Sequence, residues 1–483
     1  MFLSAACRPI IAEQIVMASS LGESLLEKKI ITKAQLNQAL ERQRREGGRL
    51  GCNLIALGYI DKEQLSGIFE KVPEIPKDVE ATGLELEFIV NLALKQAFFL
   101  GEFQLPELAN RIKLPYGIVG QALDELRQRR LVDVRKADHL VKLTYHYRVT
   151  DDGKRRGGEL LAMCRYAGPA PVTLAAYRQM VGEQTVKNIM VTPEKVSRAF
   201  RDLTVNRALL KRLGPAVSSG KAIFLYGPPG NGKTAIAETI GTILPDNIFI
   251  PHAITVGGEI VTVFDPGNHV VVDDQEKPAA FDQRWAYIRR PVVMTGGELT
   301  LRMLDLEFNP VAKFYEAPLQ MKANNGLFIV DDFGRQRMSP DKLLNRWIVP
   351  LERRTDFLGL ATGMKFDIPF DQLVLFSTNL EPRTLVDEAF LRRIRYKIKI
   401  DHPSKEEYEA IFRKVCAANE IVFEPVVFAF LLNLYQRLGV KLNSCHPRDL
   451  LEQIIDSAHY HCLAPELTTD AVTDAWENYF VEM

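Results

Sequence analysis

The chain has 483 residues, of which 47% are hydrophobic and 25% charged. That exceeds what one core serves, since domains settle at about 100 to 200 residues, and it is too apolar for a mainly disordered chain. Lys and Arg together number 61, as do Asp and Glu, so no overall charge excess draws the chain to nucleic acid or anionic lipid; any such binding is local. The longest apolar stretch, Pro425 to Leu432, is far shorter than the roughly 18 to 20 residues that cross a bilayer. Six cysteines (7, 52, 164, 416, 445 and 462) with no CxxC pair favour reduced, mostly buried thiols and a cytosolic setting. Cys445, His446, His459, His461 and Cys462 lie in helical sequence without finger-like metal spacing.

After a lead over 1–17, the chain repeats itself at an offset of 29 residues, pairing Leu21 with Leu50, Gly22 with Gly51, Leu25 with Leu54, Leu26 with Ile55, and Ile31 with Ile60. Each copy predicts a short apolar helix, a turn, and a second helix opened by a capping box, Thr32 with Gln35 and Asp61 with Gln64. This all-α segment, 18–75, resembles the tandem RLGxxLLxxG motif of the MshEN domain, which opens secretion and pilus ATPases and in some members binds cyclic di-GMP. The resemblance implies a ligand site at Arg49, Leu50, Gly51, Leu54, Ile55 and Gly58 in the second copy, with Leu21, Gly22, Leu25, Leu26 and Gln43 in the first. Ser20, Lys29 and Val72 depart from the motif, standing where it has arginine, glycine and glutamine. The other reading of the same residues is a helical docking module whose leucines are core.

Over 84–168, helical patterns at Leu84–Phe99, 105–114 and 115–130 precede an alternating stretch around a polar turn at Lys136–His139. The order resembles a winged helix-turn-helix, which places the helix from Tyr116 to Arg130 where DNA-binding relatives read the major groove. Between Leu84 and Leu160 thirteen Lys/Arg face eleven Asp/Glu, with Arg127, Arg129, Arg130, Arg135 and Lys136 clustered where helix meets wing. Duplex binding and protein docking both remain open on that balance. A linker helix region is expected over 169–200.

From Lys221 an apolar strand runs into Gly227, Pro228, Pro229, Gly230, Asn231, Gly232, Lys233 and Thr234, then into a helix. That is the P-loop pattern: glycines let successive N–H groups face phosphate oxygens, the helix offers its positive end, Lys233 neutralises phosphate charge, and Thr234 ligates magnesium. Downstream, GLFIVDDF is a buried-strand run ending in two carboxylates. Asp331 is the expected magnesium ligand and Asp332 the expected base for the attacking water. Glycine pairs at 257/258 and 296/297 predict hairpin turns in long stretches between these motifs.

With QLVLFS leading to Asn379, LVDEAFLRRIRYKIKI, and CHPRDLLEQI, the order of motifs over roughly 200–483 resembles the AAA+ ATPases. The resemblance implies a P-loop α/β core over 201–400 and a helical lid over 401–483. It makes Asn379 sensor 1, places the arginine finger at Arg392 or Arg393, and makes Arg448 sensor 2 on the nucleotide of its own subunit. It further implies ATP and magnesium as cofactors and a homo-oligomer, usually a hexamer. A multidomain α/β ATPase is therefore expected, regulated by cyclic di-GMP and remodelling a protein partner; the alternative is a nucleotide-switched DNA-binding regulator.

Overall fold

The computed structural model describes residues 22, 25–26, 28–46, 50–61, 72–136, 144–189, 191–244, 246–385 and 388–480. They fall into two units, one up to Val72 and one from Pro73 onward. No helix among the described residues is long and apolar enough to cross a membrane.

In the first unit, helices Lys33–Glu46 and Leu50–Ala56 bury Leu25, Ile31, Leu50, Leu54 and Ile60, so repeat-related residues occupy like positions in the core. Both copies close their first helix alike. Lys29 N–H donates to Leu26 O and Ile30 N–H to Leu25 O, each at 3.0 Å; Gly58 and Tyr59 N–H repeat this onto Ile55 and Leu54 at 2.9 and 3.0 Å. Lys29 (φ 54°) therefore holds the left-handed turn that Gly58 (φ 71°) makes freely, at a cost of about 1 kcal/mol. The Thr32 box closes, with Gln35 N–H on Thr32 Oγ1 and Thr32 N–H on Gln35 Oε1; Gln64 of the second lies outside the described residues.

The second unit opens with helices Leu86–Leu100, Leu105–Ile112 and Tyr116–Gln128. Strands Glu102–Gln104, His146–Val149 and Val132–Lys136 form an antiparallel sheet with His146–Val149 in the middle. Ile118, Val119, Ala122, Leu123 and Leu126 all turn inward, as their helical spacing predicts.

Five strands form the parallel sheet at the centre: β1 Ile223–Tyr226, β2 Val292–Thr295, β3 Leu327–Val330, β4 Leu373–Thr378 and β5 Tyr396–Lys399. Their order is β2-β3-β4-β1-β5. Both faces are covered, which is why β3 is apolar throughout and β4 is apolar from Leu373 to Phe376. Ile223, Leu225, Leu327, Ile329, Leu373 and Leu375 pack toward helices Lys233–Ile243 and Arg207–Ser218. Phe224, Phe328, Val330 and Phe376 pack toward Leu343, Leu344 and Trp347 of helix Pro340–Arg353. Four helices, Lys405–Ala418, Pro425–Arg437, His446–Tyr460 and Thr469–Tyr479, build a separate carboxyl-terminal core.

The stretches between motifs gather into one further β-rich body. Strands Glu307–Asn309, Phe314–Glu316, Glu259–Thr262, Ala253–Val256 and Val172–Thr173 make its sheet in that order. The pairs Asn247–Pro251 with Trp285–Arg289 and Thr355–Gly359 with Lys365–Pro369 share its core, as does helix Leu174–Glu183. Gly257 and Gly258, with φ of 57° and 85°, do turn a hairpin between antiparallel neighbours. Gly296 and Gly297 do not: β2, which they follow, lies parallel to β3, so they lead into a crossover. The body is joined to the preceding helices by Ala253 and Ile260, which sit in their core, and by a buried Arg284–Asp282 pair whose arginine donates to Thr82 O.

Candidate active site

β1 delivers the chain into Gly227–Gly232, and the helix Lys233–Ile243 follows. Gly227, Gly230 and Gly232 have φ of 144°, 76° and 75°, a region that favours glycine. Space enforces the first two as well. A β-carbon on Gly227 would lie 2.0 Å from Ile400 O, and one on Gly230 2.6 Å from Cys445 Sγ. Lys233 is buried and reaches back across the loop, its Nζ donating to Gly227 O at 3.0 Å and Pro228 O at 2.7 Å. Burial pushes the lysine pKa below its ordinary value, against the pull of Asp331 and Asp332.

The sheet order explains what meets this loop. β4 lies between β1 and β3, so Asn379, just past its end, stands between the loop and the two acids that follow β3. Thr234 Oγ1 donates to Asp331 Oδ2 at 2.7 Å, and Asn379 Nδ2 donates to Asp332 Oδ1 at 3.1 Å. The paired carboxylates thus face different partners, helped by a left-handed Asp332 (φ 47°). A hydroxyl and a carboxylate at the start of a helix are hard oxygen donors of the kind that hold magnesium beside phosphates.

The arginines are placed differently. Arg393 is ion-paired to Glu352 of its own chain, whereas the Arg392 side chain is 77% exposed and only 3.7 Å from Glu388. Arg448 is exposed, loosely paired with Asp449 and Glu452. Its helix nevertheless starts against the loop, because Cys445 N–H donates to Gly230 O at 2.8 Å.

Asn231 is held by the turn that precedes helix His446–Tyr460: its Nδ2 donates to Asn443 Oδ1 at 3.2 Å and its Oδ1 accepts Ser444 N–H at 3.1 Å. Asn443 continues to His402 and His446, and His446 Nδ1 meets the Tyr435 hydroxyl at 2.8 Å. The segment NSCHPRD does not mark this contact in the sequence, because Ser444 contributes only its backbone N–H and Asn443 meets side chains distant in the chain.

Burial lowers the pKa of both His446 and His252 from the ordinary 6.5 to about 4. As pH falls through that window the unfolded chain takes up protons before the folded one does, so stability is full above about 6.5 and is lost toward 4. Urea-unfolding midpoints are expected to fall between pH 7 and 4.5, and less steeply in His446→Gln; parallel curves for the two proteins would remove His446 as a cause.

In the first unit, Leu21 and Arg49 lie outside the described residues. Leu25, Leu50, Leu54 and Gly51 are buried in that unit's interior. Gly22 abuts Leu36, a β-carbon there falling 3.0 Å from both Leu36 methyls. Leu26, Gln43 and Ile55 are half-buried and Gly58 is exposed. Around the three-helix segment the basic cluster is largely paired: Arg127 with Asp124, Arg129 with Glu87 and Glu125, and Arg135 with Glu102.

Residues 404–478 match a family model described as a domain of unknown function, DUF8689. No curated protein matches the sequence. Among solved structures, the chain is similar in part to the RuvB Holliday junction branch migration motor of Thermotoga maritima, with 14% identity, 63% of this chain and 74% of that one covered, and a TM-score of 0.32. For domain III of the replication initiation protein DnaA of the same organism the figures are 13%, 61%, 100% and 0.35. For NtrX of Brucella abortus they are 13%, 60%, 59% and 0.36.

Proposed function

We propose that the chain is a magnesium-dependent ATPase of the AAA+ kind. The observation that carries this is the meeting of Lys233 and Thr234 with Asp331, Asp332 and Asn379 at the carboxyl ends of β1, β3 and β4. In this reading, loop N–H groups and Lys233 hold the β and γ phosphates, while Thr234 and Asp331 hold the magnesium. Magnesium, when bound, offsets charge on those phosphates. Asp332 accepts the proton of the attacking water, which Asn379 orients. The aspartate is one methylene shorter than glutamate, which favours slow turnover.

A ring, usually a hexamer in that family, follows if an arginine comes from a neighbour. Arg392 is the better donor, since Arg393 is spent on Glu352 within its own chain. Arg448, on a helix that starts against the loop, serves the nucleotide of its own subunit. The paired arginines of the three-helix segment, a winged helix in this reading, favour protein contact over DNA. The buried leucines of the repeat likewise favour a docking module over a cyclic di-GMP sensor. The ring would then act on a protein partner.

Phosphate release from ATP with magnesium, measured against protein concentration alongside size-exclusion chromatography, tests the reading. Turnover per chain should rise with assembly. Arg392→Ala should lose at least about a hundredfold at unchanged size, and Arg393→Ala less. Full activity in Arg392→Ala would move the finger elsewhere, and wild-type protein that releases no phosphate would end the ATPase reading.

A further inference from the structure

Gln336 lies on the turn that follows the two acids, and its carboxamide is spent on backbone. Nε2 donates to Asp331 O at 3.0 Å and Asp332 O at 3.2 Å, with Gly296 O at 3.5 Å, while Oε1 accepts the Gly334 N–H at 2.7 Å. One side chain therefore ties together the peptide groups of both acids, the turn beyond them and the loop after β2.

The turn it ties is one that backbone preference opposes. Asp332 has φ 47° and Gly334 φ 103°, and a β-carbon on Gly334 would lie 2.5 Å from Leu385 Cδ2. Left-handed backbone at a non-glycine residue persists where its surroundings over-determine it. One side of the turn is fixed to β4: Phe333 N–H donates to Ser377 O at 2.7 Å, and Thr378 Oγ1 donates to Phe333 O at 2.6 Å. The other side presents the carbonyls of Asp331 and Asp332, and Gln336 brings the side-chain donor to them. With these carbonyls held, the Asp331 carboxylate is aimed at Thr234 and that of Asp332 at Asn379.

We propose that Gln336 is a positioning residue for hydrolysis, setting the directions of the metal-holding and water-activating carboxylates through their backbone. The inference rests on the ATPase reading and deepens it. The chemistry demands an amide, because donor and acceptor are both used. Glutamate has the same shape but, ionised, sets a charge against two carbonyl oxygens and loses both donations. Methionine keeps the length and offers no N–H.

The test is ATP turnover by the full chain, comparing wild type with Gln336→Met and Gln336→Glu at neutral pH and several magnesium concentrations, with thermal unfolding as a control. Gln336→Met is expected to lower kcat about 10- to 100-fold, the scale of an ångström-sized misplacement. KM for ATP should stay near the wild-type value, because the phosphate loop is untouched, and more magnesium should be needed for half-activation. Gln336→Glu is expected to be impaired at neutral pH in the same way, with a lowered kcat and KM for ATP near the wild-type value, because an ionised carboxylate offers no donor. Wild-type kcat in Gln336→Met, or a rise in KM with unchanged kcat, overturns the inference while leaving the ATPase reading in place. A wild-type chain that does not hydrolyse ATP overturns both. Should Gln336→Met fail to fold, the glutamate variant decides at neutral pH: a lowered kcat with unchanged KM supports the proposal, and wild-type kcat overturns it.

Discussion

Replacing Lys233 with alanine is expected to reduce ATP turnover by about a thousandfold, the scale of losing one preorganised donor to a developing oxyanion. The ammonium group is held in the right place by the loop itself, bonded to Gly227 O and Pro228 O. Its burial makes the charge more effective on a nearby phosphate than it would be in water. Phosphate release and binding of a fluorescent ATP analogue, measured together, show whether binding fails along with chemistry. Turnover within about tenfold of wild type would mean that the reacting phosphate lies elsewhere.

Asp332→Asn is expected to separate the two functions. Asparagine keeps the shape and its carboxamide oxygen still accepts from Asn379, but it cannot take a proton from water. Turnover should fall by about a hundredfold or more, while nucleotide affinity stays close to wild type because Lys233, Thr234 and Asp331 are untouched. Single-turnover phosphate release beside equilibrium titration checks this. Equal rates in the two proteins would remove Asp332 as the base and leave it as a balance for Lys233, whose pKa it raises.

The parts of this centre that were legible are those whose chemistry is compressed into neighbouring residues. Gly227 to Thr234 and the pair Asp331–Asp332 each occupy a few consecutive positions, and β3 and β4 declare themselves as apolar runs because both faces are covered. What was hidden depends on partners distant in the chain. Gly257–Gly258 and Gly296–Gly297 are alike as text, yet only the first joins antiparallel neighbours, since β2 takes β3 as its partner instead. Arg392 and Arg393 are indistinguishable until Glu352 claims one of them. Gln336 acts on carbonyl groups, which every residue has, so nothing in its neighbourhood marks it. The leucines of the repeat show the reverse case, where one periodic pattern fits both a ligand surface and an interior, and the text alone does not reveal that Leu25, Leu50 and Leu54 are buried.

The β-rich body is assembled from intervals that begin at Val172 and end at Pro369, with β1, β2 and β3 of the central sheet threaded between them. Such wiring gives a high contact order, and loops must close before the pairings that reward them exist. During synthesis the strand Val172–Thr173 waits for its partner Ala253–Val256, and helix Leu174–Glu183 waits longer, until the last hairpin brings Asp367 O to Arg178. Until then the apolar face of that helix lacks part of its cover, a state in which exposed apolar surface favours aggregation.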